Sequence, residues 1–311
     1  MTDFSGVAID HLWTTEQWTY IRKNIGQWQG LFIQLSPSAT QVSSTPSVLT
    51  LEEDRLDQHM TLVLTRTPQG QPSQTMERDL GYPGAAPYIC FFPTGAFSQG
   101  PVVRRPWSSF GSEFSLLAGN RRLRLVQLYN GTATGEHILD YVTLIPEYRL
   151  PTAATAAATA TIGAAALSMA PPQIPLMMDR VLGTWQGNSL YLPATMDRPQ
   201  IGSSYWQAKR LGDELQVSWG SGAITPGQTE STTGRFTPIN SHCWQAVGSP
   251  LQFWLLPGDA SCTVYPQLPQ QSGARLEFCW YLSPRQRQRL VRDYGTDGNW
   301  LGTSLMLETR L

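Results

Sequence analysis

The chain has 311 residues, 41% of them hydrophobic and only 14% charged, against roughly 25% charged in average soluble domains. A net charge of −1 and a pI of about 6.4 supply no basic surface for nucleic acid or an anionic membrane. No run of about 18 apolar residues is available to span a bilayer, and Met1–Gly6 lack the basic and apolar regions of a secretory signal, so the expected location is cytoplasmic.

In chain order, the first element is a short helix. Trp18, Ile21 and Ile25 recur near helical spacing, and Thr14 and Gln17 are placed as a capping box. The pentad Gly26-Gln27-Trp28-Gln29-Gly30 then opens a strand in which Leu31, Ile33 and Leu35 alternate with Phe32 and Gln34. Glu52-Glu53-Asp54 reads as a solvated turn, and Thr61–Thr65 as a β-rich run. Further on, Arg122, Arg124 and Val126 share one face of a strand, with Leu123 and Leu125 on the other. Asn130-Gly131 is a hairpin signal, and Val142–Glu147 a last strand.

Then the series starts again. Met177, Met178, Val181 and Leu182 precede Gly183-Thr184-Trp185-Gln186-Gly187, which places the second Trp 185 − 28 = 157 residues after the first. Cys90–Pro93 returns as Trp254–Pro257, Arg122–Tyr129 as Arg287–Tyr294, and Val142–Glu147 as Thr303–Glu308, all in the same order. Asp297-Gly298 marks a hairpin turn before Trp300. A period this long means tandem domains and not a solenoid. Between the copies lies an Ala/Thr tract flanked by prolines, with no amphipathic pattern. The expected organisation is therefore a domain over 1–150, a linker over 151–173 and a second domain over 174–311. Each half reads as one short helix followed by eight to ten antiparallel strands, which most economically close into a barrel.

The Gly-x-Trp on a first strand with an Arg on a late strand resembles the barrel-closing signature of the calycins, the superfamily of lipocalins and fatty-acid-binding proteins. That resemblance implies that Trp28 and Trp185, with Gly26 and Gly183, close the barrels, an Arg packing across each Trp. The expected fold class is all-β: two tandem antiparallel calycin (lipocalin-like) barrels, each preceded by a short helix. Gly26–Gly30, Phe92–Gly100, Asn120–Val126, Gly183–Gly187 and Arg285–Leu290 together are similar to a family of cyanobacterial and plastid proteins of unknown function, built as two such barrels. The S-type phycobiliprotein chromophore lyases use the same fold, and their Arg-x-Arg strand is similar to Arg122-Leu123-Arg124.

Arg122 and Arg124 point together, as do Arg287 and Arg289; Tyr129 and Tyr294, which end the same segments, are further ligand-binding candidates. If those faces are interior, the guanidiniums are candidate anchors for a ligand carboxylate. Otherwise one Arg closes over Trp and the other pairs with Glu113 or Glu277, which occupy corresponding places in the two halves. The four cysteines have no CxxC spacing and read as buried thiols, and no His/Cys/Asp/Glu spacing resembles a metal site. No nucleophile motif, P-loop or dinucleotide loop selects a catalytic residue. The reading is a non-catalytic binding protein for a hydrophobic, carboxylated or neutral small molecule: a bilin or other tetrapyrrole, a pigment or a lipid. Two alternatives stand beside it. One is a chromophore lyase-like enzyme with a phycobiliprotein partner; the other is an assembly protein of photosynthetic complexes with filled barrels.

Overall fold

The structure is a computed structural model and describes residues 15–82, 84, 87–151, 175–223 and 232–311. Thr14 of the expected capping box, residues 152–173 of the expected linker and residue 174 lie outside the described residues.

Helix α1 (Thr15–Ile21) and a 3-10 turn (Arg22–Asn24) lead into nine strands: β1 (Gly26–Leu35), β2 (Gln41–Arg55), β3 (His59–Arg66), β4 (Gln74–Gly81), β5 (Ile89–Phe91), β6 (Phe97–Gln99), β7 (Phe110–Ala118), β8 (Arg121–Gly131) and β9 (His137–Arg149). Their order in the sheet is β4-β3-β2-β1-β9-β8-β7-β6-β5. The sheet curls into a half-barrel in which β4 and β5 form the two edges. The second half begins with α2 (Met178–Val181) and continues through β10 (Gly183–Pro193), β11 (Gln200–Leu211), β12 (Glu214–Ala223), β13 (Thr232–Asn240), β14 (Cys243–Ala246), β15 (Gln252–Leu256), β16 (Ala260–Val264), β17 (Gln267–Leu268), β18 (Ala274–Ser283), β19 (Gln286–Tyr294) and β20 (Trp300–Arg310). All of these except β17 make a closed antiparallel barrel.

Strand β17 pairs instead with β9 of the first half, Gln267 opposite Ile138 and Leu268 opposite His137. The two sheets also share one apolar core. The outward faces of β8 and β7 (Leu123, Leu125, Phe114, Leu116) pack with those of β18, β19 and β20 (Phe278, Trp280, Leu290, Leu305, Leu307). Gln288, which stands where the first copy has Leu123, donates from Nε2 to the Leu117 carbonyl across this junction at 3.0 Å.

The glycines of the two pentads have distinct causes. Gly26 and Gly183 lie at φ +126° and +117°, where a side chain is strained. Gly30 and Gly187 are sites of close approach. A Cβ on Gly187 would stand 1.8 Å from the Leu307 carbonyl oxygen and 2.8 Å from the Glu308 Cα, both backbone atoms that cannot yield. Gly187→Ala is expected to lower stability by about 1–3 kcal/mol, read as a shift of the denaturation midpoint; an unchanged midpoint would contradict this role.

Two local expectations are corrected. Asn130-Gly131 is not a turn: both residues stay in β8, Gly131 opposite His137. The turn comes one step later, where Gly135 N–H donates to the Thr132 carbonyl at 3.0 Å and Glu136 N–H to the Thr132 hydroxyl at 3.1 Å. Nor is Glu52-Glu53-Asp54 a solvated turn. It ends the long strand β2, and Glu53 accepts from Trp18 Nε1 at 2.9 Å and from Arg22 Nε at 2.9 Å, which ties α1 to the sheet.

Candidate functional site

Alternation along β8 turns Leu123 and Leu125 to the inter-half core and Arg122 and Arg124 to the inside of the half-barrel. Both guanidiniums are held there by carboxylates. Arg122 Nε donates to Glu147 Oε2 at 2.6 Å, and Arg124 donates to both Glu147 oxygens at 2.9 Å. Arg124 Nη1 reaches Glu113 Oε1 at 2.8 Å. Arg122 also lies over the Trp28 ring, 4.3 Å from its centroid, with Arg149 at 4.5 Å. Trp28 Nε1 donates to the Asn24 carbonyl at 2.9 Å, so the first strand, the 3-10 turn and the late strands meet at one buried indole.

The second barrel repeats the arrangement. Arg287 Nε donates to Glu308 Oε2 at 2.7 Å, Arg289 Nη2 to Glu308 Oε1 at 2.8 Å, and Arg289 Nη1 to Glu277 Oε2 at 3.1 Å. Arg287 is inserted between two indoles, 4.5 Å from the Trp185 centroid and 4.4 Å from that of Trp206. Trp185 Nε1 donates to the Val181 carbonyl at 3.3 Å. Burial opposes the charge on Glu308, but the Arg287 and Arg289 guanidiniums outweigh it and hold the carboxyl down at about 2. Glu147 is likewise held below its ordinary value by Arg122 and Arg124 against the opposing effect of burial.

The sequence reading paired the arginines with Glu113 and Glu277 as one alternative; it did not single out Glu147 and Glu308. Each is the last residue of a repeated segment, Val142–Glu147 and Thr303–Glu308, so the repeat itself carried their signal. Tyr129 and Tyr294 sit on the outward faces. They meet around Phe110 in the junction between the halves: Tyr129 stacks on its ring at 4.8 Å, and Tyr294 meets it edge-on at 6.1 Å. The structure therefore brings Arg122 and Arg124 together at one closed network and the two tyrosines together elsewhere.

Inside the half-barrel is a cavity of about 190 Å³. Its walls are apolar: Leu49 and Leu51 from β2, Leu62 and Leu64 from β3, Met76 and Leu80 from β4, facing Ile89, Phe91 and Phe97. Arg122, Arg124 and Glu113 form its floor, where two guanidiniums are balanced by two carboxylates with Glu147 included. The gap between the edges of β4 and β5 opens one side, and Met76 is 49% exposed there. The corresponding space in the second barrel is filled by Trp185, Trp206, Trp244, Phe236, Phe253 and Tyr281. A larger cleft of about 1050 Å³ opens into the other end of that barrel, lined by the inward-facing Ser189, Tyr191, Arg275, Asp293 and Ser304. It is open, and Arg275 already donates to both Asp293 oxygens, at 3.2 and 3.3 Å. The smaller cavity, with apolar walls, is the better place for a hydrophobic ligand.

All four thiols are free and buried. Burial pushes Cys90 and Cys279 up to about 12 and Cys243 to about 11, so these are no thiolate nucleophiles near neutrality. Among the described residues, no group of three or more His, Cys, Asp or Glu side chains could hold a metal ion, and no helix is long and apolar enough to cross a membrane.

Residues 14–151 match a family model described as the N-terminal domain of unknown function DUF3598. Residues 172–311 match one described as the C-terminal domain of biogenesis factor required for ATP synthase 1. Among solved structures, the chain is similar to a protein of unknown function from the DUF3598 family of Nostoc punctiforme PCC 73102. The two share 29% identity over 95% of this chain and 99% of the other, with a TM-score of 0.75. A distant match is the S-type phycobiliprotein lyase CpeS from Guillardia theta, 12% identical over 43% of this chain and 89% of that one, with a TM-score of 0.35. No curated protein matches. The resemblance drawn from the pentads and the Arg-x-Arg strands, to a family of unknown function, is thus met.

Proposed function

We propose that this protein is a non-catalytic binding protein that holds a hydrophobic molecule in its N-terminal half-barrel. The observation that supports it is the apolar cavity of about 190 Å³, open between β4 and β5, over a floor whose guanidiniums are paired to carboxylates. Enclosed ligand sites usually measure about 300–1,000 Å³, so this one takes a hydrocarbon chain or the end of a larger pigment. The remainder of a tetrapyrrole would project through the open side. Because Arg122 and Arg124 already have carboxylate partners, an incoming ligand is held chiefly by apolar contact, at about 25 cal/mol per Å² removed from water. Leu62 is half-buried on the cavity wall, so Leu62→Trp fills the space without opening the core. Wild-type protein is expected to take up the neutral dye Nile red with enhanced emission, and Leu62→Trp to lose that uptake at an unchanged melting temperature. Equal uptake by both proteins would place the dye elsewhere and sink the proposal.

A second reading, an assembly factor, has its own observation. The C-terminal half matches a domain named for a biogenesis factor required for ATP synthase, and its barrel is packed with side chains at the Trp185 end. Deleting the gene in the host and measuring assembled ATP synthase tests it; a normal level of complex would rule it out.

A further inference from the structure

Resting on the hydrophobic-cavity reading, we infer that the ligand is an anionic amphiphile whose charged head sits on Arg78 at the open edge while its hydrocarbon part enters the cavity. The argument is one of charge placement. Three charged side chains floor the cavity, Arg122, Arg124 and Glu113, and the buried Glu147 completes their set; each carboxylate is within 2.9 Å of a guanidinium nitrogen. That set is neutral, and an anion entering it would meet guanidiniums already paired to carboxylates and the negative charges of Glu113 and Glu147 beside them. Among the described residues Arg122 Nη2 has no hydrogen-bond partner, but the guanidinium that carries it lies over the Trp28 ring within the same set.

Arg78 is different. It stands on β4 opposite Leu62, between Met76 and Leu80 on the cavity-lining face of the strand. Period two turns its neighbours Glu77 and Asp79 to the other face, where Asp79 Oδ1 meets His59 Nε2 at 3.2 Å. Among the described residues Arg78 has no ion pair, it is exposed, and β4 is an edge strand. The cavity therefore offers apolar walls inside, a balanced floor and a single unbalanced cation at its mouth. An alkyl chain with a terminal anion matches that polarity, and a guanidinium fork takes an anionic oxygen pair by two parallel hydrogen bonds.

A competing role is available for the same residue: an inward-facing charge on an edge strand discourages pairing with other chains. Displacement of Nile red by decanoate and by decanol separates the two, because the chains are alike and only the head group differs. On the full chain at neutral pH and low salt, decanoate is expected to displace the dye at about five-fold lower concentration than decanol, an advantage that shrinks in high salt. Arg78→Gln should abolish the difference and leave decanol unchanged, and Arg78→Lys should restore part of it. Equal displacement by both compounds in the wild type, or a preference for decanoate that survives Arg78→Gln, would overturn the inference while the hydrophobic cavity stands. Failure of the wild type to take up Nile red at all would instead overturn the cavity reading.

Discussion

Replacing Glu308 with alanine is expected to remove about 3–5 kcal/mol of stability, the cost of leaving buried cations without their counter-ion. Glu308 is fully buried and accepts from Arg287 and Arg289, themselves 2% and 1% exposed. Without it Arg289 keeps only Glu277, and Arg287 keeps the Tyr281 hydroxyl and its indoles. Neither supplies a full opposite charge to both guanidiniums. The wild type should also lose stability in acid through this group. Its carboxyl is held at about 2 in the folded chain against an ordinary 4.5. The contribution is therefore complete above the unfolded value and is lost as pH falls through about 2. Chemical denaturation at pH 7 and pH 3 measures both effects. The variant should be less stable at pH 7 and show a flatter acid limb. Replacing Arg287, Arg289, Glu308 and Glu277 together by apolar residues of similar volume should cost far less than the single substitution, because no charge of the network is then stranded. A Glu308→Ala protein as stable as the wild type would mean that water reaches the guanidiniums.

The features legible in the sequence were those set by local period. The pentads announced their strands because glycine is required twice, once for backbone angle at Gly26 and Gly183, once for the approach of β9 and β20 to Gly30 and Gly187. Alternation placed Arg122 and Arg124 opposite Leu123 and Leu125 before any sheet was seen. What lay beyond reach was set by long-range partners. Whether a curled sheet closes depends on β4 and β5, which follow one another in the chain yet become the two edges of the sheet, and no local pattern codes for or against their pairing. The role of Gln288 could not be read either, since its partner is the Leu117 carbonyl in the other half. Alternation put Leu123 and Leu125 on the face opposite the arginines, and only the fold shows that this face is the junction on which the second sheet rests. Likewise nothing local distinguishes Arg78 from its neighbours Glu77 and Asp79; only the pleat of β4 separates it from them and turns it to the cavity.

That junction has a polar latch, and cutting it should uncouple the halves. Arg104, 2% exposed, donates to the carbonyls of Pro269 at 3.2 Å, Gln270 at 3.4 Å and Ser272 at 2.6 Å, all from the second half. Its Nη1 also meets His137 Nδ1 at 3.2 Å. A guanidinium can only donate, so Nδ1 accepts and the imidazole proton sits on Nε2, facing the carbonyls of Arg105 and Ser108 at 3.1 and 3.2 Å. Arg104→Ala leaves four acceptors without this donor and is expected to cost about 2–4 kcal/mol, charged hydrogen bonds being worth roughly 1.5–3 kcal/mol each but not additive. Since the lost contacts join the halves, calorimetry should resolve two unfolding transitions in the variant where the wild type shows one. A single transition at an unchanged temperature would show that the apolar core alone couples them. Acid should work on the same latch. Burial and, after it, the Arg104 charge hold His137 below its ordinary 6.5, so the folded chain favours the neutral ring. Its contribution is full above pH 6.5 and declines as pH falls below that value, because the unfolded chain takes up the proton first. Replacing His137 with glutamine, whose amide oxygen can still accept from Arg104, should remove that part of the decline between pH 7.5 and 5.5 at about the same stability near pH 7.5. A decline equally steep in the variant would assign the acid sensitivity to other groups.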